Sequence, residues 1–580
     1  MDLIRAQTTL RSIRGLSCGV FLGGAMFACL ADAESPSFTF HESAGARGVS
    51  GYVMMNGFGG GVAACDFDDD GDVDFFLPTS ARARHLLFRN LGNGEFEEVG
   101  QALGVGIVEH ARTSLWFDAN GDGRQDLLIA GDCFQMPIET CAIPKLRLFE
   151  QQEDGTFNDV SDRAGLLDLP AMNPGQHRGG VCAGDVNGDG WLDLVVSAWG
   201  GDGARLLINN NGVTFEDQTA ASGIVGGGID HWQCVLVDID NDGDLDLYSA
   251  IDYGPNNLWL NDGAGQFTDV AQSAGIDTAW NDMGIAVGDA DNDGKLDFYI
   301  TEINEVGRHN VLHRQVAPTP AMFEEIAHEA SVAEVGFAWG CAWMDADHDG
   351  DLDLAVTNGW FNGIGFDDHS AFFLNSGETP LSFGDVGPDV SFNDDDWGSS
   401  LSAADIDRDG DLDLLQTVNR GPMRVLENVP AIEGVEGNWL VITPRMEGPN
   451  SRAIGAILRV QIGDMTMMRP IMAGQGFLAQ EPAEAHFGVG DATIVDQVEI
   501  TWPTGEVTTL HAVPVNQNLR IEQGVCCNAG DLDFNGVIDA RDLGSLLERW
   551  GPCNGACAGD LDFDGDVDGV DLARLLAAWG

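Results

Sequence analysis

Seven short apolar runs punctuate the first three quarters of the chain: Phe75-Phe76-Leu77, Leu127-Leu128-Ile129, Leu194-Val195-Val196, Leu247-Tyr248, Phe298-Tyr299-Ile300, Leu354-Ala355-Val356 and Leu414-Leu415. Each is short and flanked by Asp- and Gly-rich stretches, the pattern of a buried strand rather than a helix. Further on, Asn and Gly gather before a Phe, as at Asn90-Leu91-Gly92-Asn93-Gly94-Glu95-Phe96 and Asn261-Asp262-Gly263-Ala264-Gly265-Gln266-Phe267. These are hairpin signals.

One nine-residue pattern, D-x-[DN]-x-D-G-x-x-D, precedes every run, starting at Asp66, Asp118, Asp185, Asp238, Asp289, Asp345 and Asp405. Successive spacings are 52, 67, 53, 51, 56 and 60 residues. A period of this size fits one four-stranded blade of a β-propeller. Phe38-Thr39-Phe40 resembles the end of a repeat but precedes the first loop, and the last repeat stops near Asn428 without that end. The N-terminus is therefore expected to complete the last blade, closing the ring and removing its free edges.

The charge sharpens the picture. Of 580 residues, 93 are acidic and 28 basic, for a net charge of −65, and the only lysines are Lys145 and Lys295. Such a surface repels nucleic acid and anionic membrane and attracts cations. The loop acids explain why. Asp66, Asp68, Asp70 and Asp74 place alternate carboxylates on one side of a tight turn, with Gly71 allowing the reversal. The same set recurs at Asp118, Asn120, Asp122, Asp126; at Asp185, Asn187, Asp189, Asp193; and at Asp238, Asp240, Asp242, Asp246. It recurs again at Asp289, Asp291, Asp293, Asp297; at Asp345, Asp347, Asp349, Asp353; and at Asp405, Asp407, Asp409, Asp413. Position six is glycine in all seven, position seven varies freely as if only its carbonyl were used, and position eight is apolar except at Gln125. Two carboxylates about 4 Å apart repel by about 4 kcal/mol at an effective dielectric of about 20. An all-oxygen cage of this kind predicts calcium ahead of magnesium, which prefers a stricter, wetter octahedron. The loops with Asn120 and Asn187 are expected to bind more weakly.

The first residues read as a secretory signal: Arg5, Arg11 and Arg14, an apolar stretch from Gly15 to Leu30, and Ala31-Asp32-Ala33 before the cut. Ten cysteines lie beyond it, Cys65, Cys133, Cys141, Cys182, Cys234, Cys341, Cys526, Cys527, Cys553 and Cys557. An even number in an exported chain suggests disulfides, with Cys133–Cys141 a plausible local bridge and the connectivity otherwise open.

The repeats resemble the FG-GAP or VCBS repeats of integrin-α-type propellers, and Phe58-Gly59-Gly60-Gly61 adds to the likeness. That resemblance implies calcium-binding loops and a propeller used for recognition. Beyond them, Asn438-Trp439-Leu440, Ile454-Gly455-Ala456, Phe477, His486-Phe487-Gly488 and Trp502-Pro503 resemble the ASPIC/UnbV domain of proteins similar to cartilage acidic proteins. His486 is read as structural rather than catalytic. In the tail, Asp531, Asp533, Asn535, Asp539 and Asp542 occupy positions 1, 3, 5, 9 and 12 of an EF-hand-like loop, and Asp560, Asp562, Asp564, Asp568 and Asp571 repeat this 29 residues later. Leu543, Leu546, Leu547 and Trp550 follow at helical spacing, as do Leu572, Leu575, Leu576 and Trp579. This pair of loop–helix units resembles a type I dockerin, which implies a cohesin-like partner; Ala540-Arg541 and Gly569-Val570 depart from the Ser-Thr common at its recognition positions.

The expected fold is mainly β: a signal peptide over 1–33, a seven-bladed propeller over 34–430, a small β-domain over 431–524 and a small all-α dockerin-like module over 525–580. About nine calcium ions are expected. The function expected is a secreted or cell-surface recognition and adhesion scaffold that binds a glycan or an extracellular protein, without a transmembrane span in the mature chain. The rival is a carbohydrate-active enzyme, a polysaccharide lyase or glycoside hydrolase, with His110, His177, His231, His309 and His313 as candidate bases. No HExxH motif occurs, and no GxSxG outside the expected signal segment, where Gly15-Leu16-Ser17-Cys18-Gly19 falls. A third reading is a purely structural surface-layer protein.

Overall fold

Each apolar run is the second strand of a four-stranded antiparallel sheet. The computed structural model describes residues 36–524 apart from 53, 55–58, 81–82, 133–145, 168–176, 201–202, 225–229, 279, 304–307, 360–367 and 432–436, and in the tail 532, 538, 540–552, 566–577 and 579. The expected signal peptide and Cys133–Cys141, Cys526, Cys527, Cys553 and Cys557 lie outside the described residues.

The first sheet runs Ala63–Cys65, Asp74–Leu77, Leu86–Asn90, Phe96–Glu98, each strand pairing with the next. Five more follow the same order, beginning at Ala111–Phe117, His177–Gly184, Asp230–Val237, Asp282–Gly288 and Ala338–Met344. The seventh comprises Gly398–Ala404, Asp413–Val418 and Arg424–Pro430, with Phe38–Glu42 as its fourth strand. Phe38 lies opposite Pro430 and Glu42 opposite Leu426, so the two ends of the repeat region share one sheet. The first strand of each sheet contacts the first strand of the next, and that of the seventh contacts that of the first. This mainly β arrangement of four-stranded sheets is consistent with a β-propeller.

Polar side chains couple the sheets as regularly as the strands do. The last aspartate of every loop opens the second strand, is almost wholly buried, and accepts two backbone N–H groups. In the fourth sheet, Asp246 accepts from Ile239 at 3.0 Å in its own loop and from Asn261 at 2.8 Å at the end of the third strand. The side-chain amide of Asn261 then donates to Val186 O in the preceding sheet at 2.8 Å. The same step recurs from Gln151 to Phe67 O, Asn209 to Ala119 O, Gln315 to Ile239 O, Asn375 to Ala290 O and Asn428 to Ala346 O, at 2.7–3.1 Å. Asn90 of the first sheet completes the series by donating to Ile406 O of the seventh at 2.7 Å. All seven junctions thus carry one buried amide bond.

Residues 438–522 form a second unit of two sheets. One orders Ala485–Gly490, Asn438–Arg445 and Gln517–Glu522; the other orders Met465–Pro470, Ile457–Ile462, Ile494–Thr501 and Val507–Pro514. Its apolar interior is continuous with that of the second and third repeat sheets. Between Pro470 and Ala485 its chain enters the axis of the repeat sheets and meets the first strand of all seven. Gln480 donates to Val62 O at 3.0 Å and its carbonyl accepts from Ala64 at 2.9 Å, while its side chain brackets the Trp116 backbone at 2.7 and 2.9 Å. Ala183 donates to Ala473 O, Ile285 to Gly476 O, and Leu478 to the Gln233 side chain, at 2.9–3.1 Å. Phe477, fully buried, packs edge-on to Trp339, and Ser402 donates to Gln480 O at 3.1 Å.

In the tail, helices Ala540–Glu548 and Gly569–Ala577 pack through Leu546 and Leu575. The all-α expectation needs correction, because Gly551–Pro552 pairs with Asp566–Val567 as a short antiparallel ladder. That ladder ties the two ends of the inter-helix connection together. No helix among the described residues is long and apolar enough to cross a membrane.

Two outcomes check this architecture. Asn261→Leu strands the buried Val186 and Leu245 carbonyls and is expected to lower stability in urea unfolding by about 1–3 kcal/mol. Phe477→Ala is expected to cost about 3–5 kcal/mol, whereas Val507→Ala, at a residue 56% exposed, leaves the midpoint unchanged.

Candidate metal centres

The loop between the first and second strands of each sheet folds by a fixed set of backbone choices. Position six is left-handed in all seven loops, with φ from 80° to 101°, which explains the invariant glycine. At Gly71, Gly123, Gly190, Gly243 and Gly294 a Cβ would meet nothing, so conformation rather than space demands glycine there. Position four is left-handed too: Asp69, Gly121, Gly188, Asn241, Asn292, His348 and Arg408 have φ of 53–72°. The sequence reading did not single out this position; its only signal was the scatter of Gly, Asn and Asp there.

These turns aim backbone donors at the first and fifth side chains. Asp289 accepts from Asp293 at 2.9 Å and Gly294 at 3.0 Å, and the fifth aspartate of every loop accepts the N–H of position seven at 2.9–3.1 Å. The remaining oxygens converge. Carboxylate oxygens lie within 4.8 Å of one another in Asp66–Asp68–Asp70, Asp238–Asp240–Asp246, Asp289–Asp291–Asp297, Asp345–Asp347–Asp349 and Asp405–Asp407–Asp409. The loops at Asp118 and Asp185 hold three aspartates each, with Asn120 or Asn187 at the third position, and among the described residues they form no such carboxylate triad. Asp74, Asp126, Asp193, Asp353 and Asp413 serve the two backbone bonds described above and stand outside these triads. In the tail, Asp531, Asp533, Asn535, Asp539, Asp560, Asp562 and Asp564 lie outside the described residues. Asp542 is buried and accepts from Leu532 at 2.6 Å; Asp571 is buried and accepts from Asp568 N at 2.7 Å.

Several converging oxygens are buried and lack a hydrogen-bond donor: Oδ1 of Asp240, Asp291, Asp345, Asp347 and Asp405. Burial first, and neighbouring aspartates second, push the Asp238 carboxyl up to about 6. Burial likewise raises Asp289 to about 7 and Asp405 to about 8, in each case with loop neighbours adding to it. Desolvation thus outweighs the mutual repulsion stressed in the sequence argument. A hard divalent cation answers both terms, and clustered, donor-starved carboxylate oxygens are the donor set calcium takes. The residues present therefore fit such an ion.

The second unit sits on these loops. Arg452 donates to Asp66 O at 2.9 Å and pairs with Asp69 at 3.0 Å, joined there by Arg445 at 3.5 Å and Arg520 at 3.2 Å. Gly488 N donates to Asp345 at 2.9 Å, alongside Gly350 N from the loop itself. The ring of Trp439 lies where a Cβ on Gly410 would fall, 1.9 Å away. His486 donates from Nε2 to Gly410 O at 2.8 Å and is 8% exposed; burial holds its pKa well below the ordinary value. It is a neutral group packed against the loop at Asp405. Among the candidate bases, His231 and His313 are 0% and 1% exposed and burial lowers each to about 4, so neither reaches a polymer. His110 is 8% exposed, His309 sits against His328 at the rim, and the side chain of His177 lies outside the described residues.

Repeat sheets with aspartate-lined loops, capped by a β-unit on the loop face, define a class. The model for the FG-GAP-like repeat matches residues 55–129, 185–249 and 238–300, and that for ASPIC and UnbV matches 446–527. The chain carries FG-GAP-like repeats and an ASPIC/UnbV domain. It is homologous to cartilage acidic protein 1: 29% identical to that of Xenopus tropicalis over 77% of this chain and 71% of the relative, and 25% identical to that of Mus musculus over 80% and 73%. Among solved structures, BBS1N in complex with ARL6DN matches at 12% identity and TM-score 0.39 over 66% of this chain and 96% of that one. An Agrocybe aegerita lectin recognising non-reducing terminal N-acetylglucosamine matches at 16% and 0.36 over 63% and 93%.

Calcium titration with atomic emission readout checks the loops. Asp405→Ala is expected to remove one tightly held ion, and the loops at Asp118 and Asp185 are expected to fill last. A stoichiometry unchanged by Asp405→Ala contradicts the assignment.

Proposed function

We propose that the protein is a calcium-loaded extracellular scaffold of the adhesion type: a closed seven-bladed ring over 34–430, an ASPIC/UnbV unit over 431–524 and a dockerin-like tail over 525–580. Its reading as exported rests on the N-terminal signal pattern and on the kinship with cartilage acidic protein 1, a name that states no reaction. The ions hold the loop face in the shape the second unit requires, since arginines and backbone donors of that unit engage the same loops. The ligand, a glycan or an extracellular protein, engages the opposite rim.

One observation carries this choice of face: the second unit covers the loop side, and its 471–484 segment fills the axis. Among the described residues, the far rim carries a group of aromatic side chains. There Tyr253 is 68% exposed in a left-handed conformation, φ 62°, and its N–H is held by Trp280 O at 2.9 Å. A bulky residue in that conformation is strained, and such strain gathers at functional sites. Beside it, partly exposed Trp199 stacks on Trp232, and both indoles donate to Asp252. Exposed aromatics over polar anchors suit sugar rings and protein hot spots alike. The tail is proposed to dock to a cohesin-like partner.

The test is a glycan and matrix-protein array probed with mature protein in calcium and in excess EGTA. Binding lost in EGTA, and lowered at least tenfold by Tyr253→Ala with Trp280→Ala at unchanged thermal midpoint, is the expected result. Release of cleaved products from a bound polysaccharide would move the weight to the enzyme reading, and self-assembly without any ligand to the surface-layer one.

A further inference from the structure

Two thiols from neighbouring repeat sheets lie against each other inside the ring. Cys182, on His177–Gly184, and Cys234, on Asp230–Val237, are fully buried with their Sγ atoms 3.3 Å apart. The approach has a cause in the sequence. A Cβ at Gly179 would fall 2.2 Å from Trp232 O, and one at Gly180 would fall 1.9 Å from Gln233 Oε1. Two consecutive glycines therefore let the third sheet's inner strand press against the fourth's, where register shifts at 178/181 and 231/233 bring both chains inward. The thiol of Cys234 finds only distant acceptors, Gly180 O at 3.8 Å and Val195 O at 3.7 Å. Among the described residues, burial and Cys234 itself are what act on the Cys182 thiol, surroundings unlike those of a metal or catalytic thiol. Cys341, placed four residues before its loop as Cys234 is, shares its apolar cluster with Ala286 rather than with a second thiol.

We infer that Cys182 and Cys234 are a cross-link site, forming a disulfide that staples the third sheet to the fourth as the chain folds in an oxidising compartment. The donor is a disulfide, either a low-molecular-weight one such as glutathione disulfide or that of a thiol oxidoreductase. One cysteine, as thiolate, attacks a donor sulfur, forms a mixed disulfide and expels one donor thiolate. The second cysteine, also deprotonated, attacks the protein-side sulfur and expels the other. Two protein thiols lose two electrons and two protons, and one donor disulfide becomes two thiols. The sulfurs need to close from 3.3 Å to about 2.0 Å, a shift of the order a χ1 adjustment supplies. Because both groups are sealed from solvent in the folded ring, the exchange takes place before the two sheets close.

The inference takes its oxidant from the extracellular reading, so the test supplies one directly. The full chain is refolded with calcium in a glutathione redox buffer, alkylated in denaturant without reduction, digested and mapped by mass spectrometry. A peptide pair joined through Cys182 and Cys234, two hydrogens lighter than the free peptides and split by dithiothreitol, is expected. Cys182→Ser should free Cys234 for alkylation, and reductant should lower the thermal midpoint of the wild type by several degrees but not that of a Cys182→Ala/Cys234→Ala variant. Refolded, cooperatively melting wild type with both cysteines alkylated, or with either joined to a different cysteine, overturns the assignment whatever the variants do.

Discussion

The structure depends on a buried carboxylate used twice and an amide that passes the bond on. The ninth residue of each loop holds its own loop and its own third strand by backbone N–H groups. The side chain at the end of that strand then donates to the loop of the sheet before it. At Asp246 and Asn261 the whole link is 2.8–3.0 Å long at every step. Hydrogen bonds in a dry environment are stronger than in water, and removing one leaves a buried group unpaired. Seven such links, returning from Asn90 to Ile406, make the register of each sheet depend on its neighbour. A chain of apolar faces alone would not fix that register.

The carboxylate loops adjoin this network, and at Asp246 and Asp297 the same side chain belongs to both. The carbonyl that receives the amide and the N–H that meets the carboxylate both belong to loop position two. An ion drawing the clustered carboxylates together would tighten the turn on which the neighbouring sheet leans. The ASPIC/UnbV unit engages these same turns directly. Its arginines neutralise Asp66 and Asp69 from outside the turn, and its Gly488 N–H shares the Asp345 carboxylate with the loop itself. The axial segment around Phe477 and Gln480 then touches each inner strand. Two units that look consecutive in the sequence share hydrogen bonds and an apolar interior in space.

Much of this was legible in advance. Invariant glycine at position six, free choice at position seven and apolar position eight followed from what a tight oxygen-lined turn needs, and the buried Val73, Leu192 and Leu352 bear the last point out. The N-terminal strand was legible because Phe38-Thr39-Phe40 carries the phase of a repeat end. What escaped notice was polar and long-range. Asn261 reads as the head of a turn, which it is, but its amide reaches a carbonyl 75 residues away. Gln480 and Phe477 read as a loop between strands, because nothing in their own neighbourhood reveals an axis lined by seven others.

The sequence by itself determined the repeat, its number, the carboxylate loops and the order of the units. Those follow from local rules: backbone sterics at glycine, charge placement along a short turn, and the period of apolar runs. Only the tertiary structure decided which loops gather three carboxylates, which face the second unit covers, what fills the axis, and that Cys182 meets Cys234. These are contacts between residues far apart in the chain, and they depend on how closely strands approach. That distance is set by side chains on both partners, and neither partner's sequence specifies it alone.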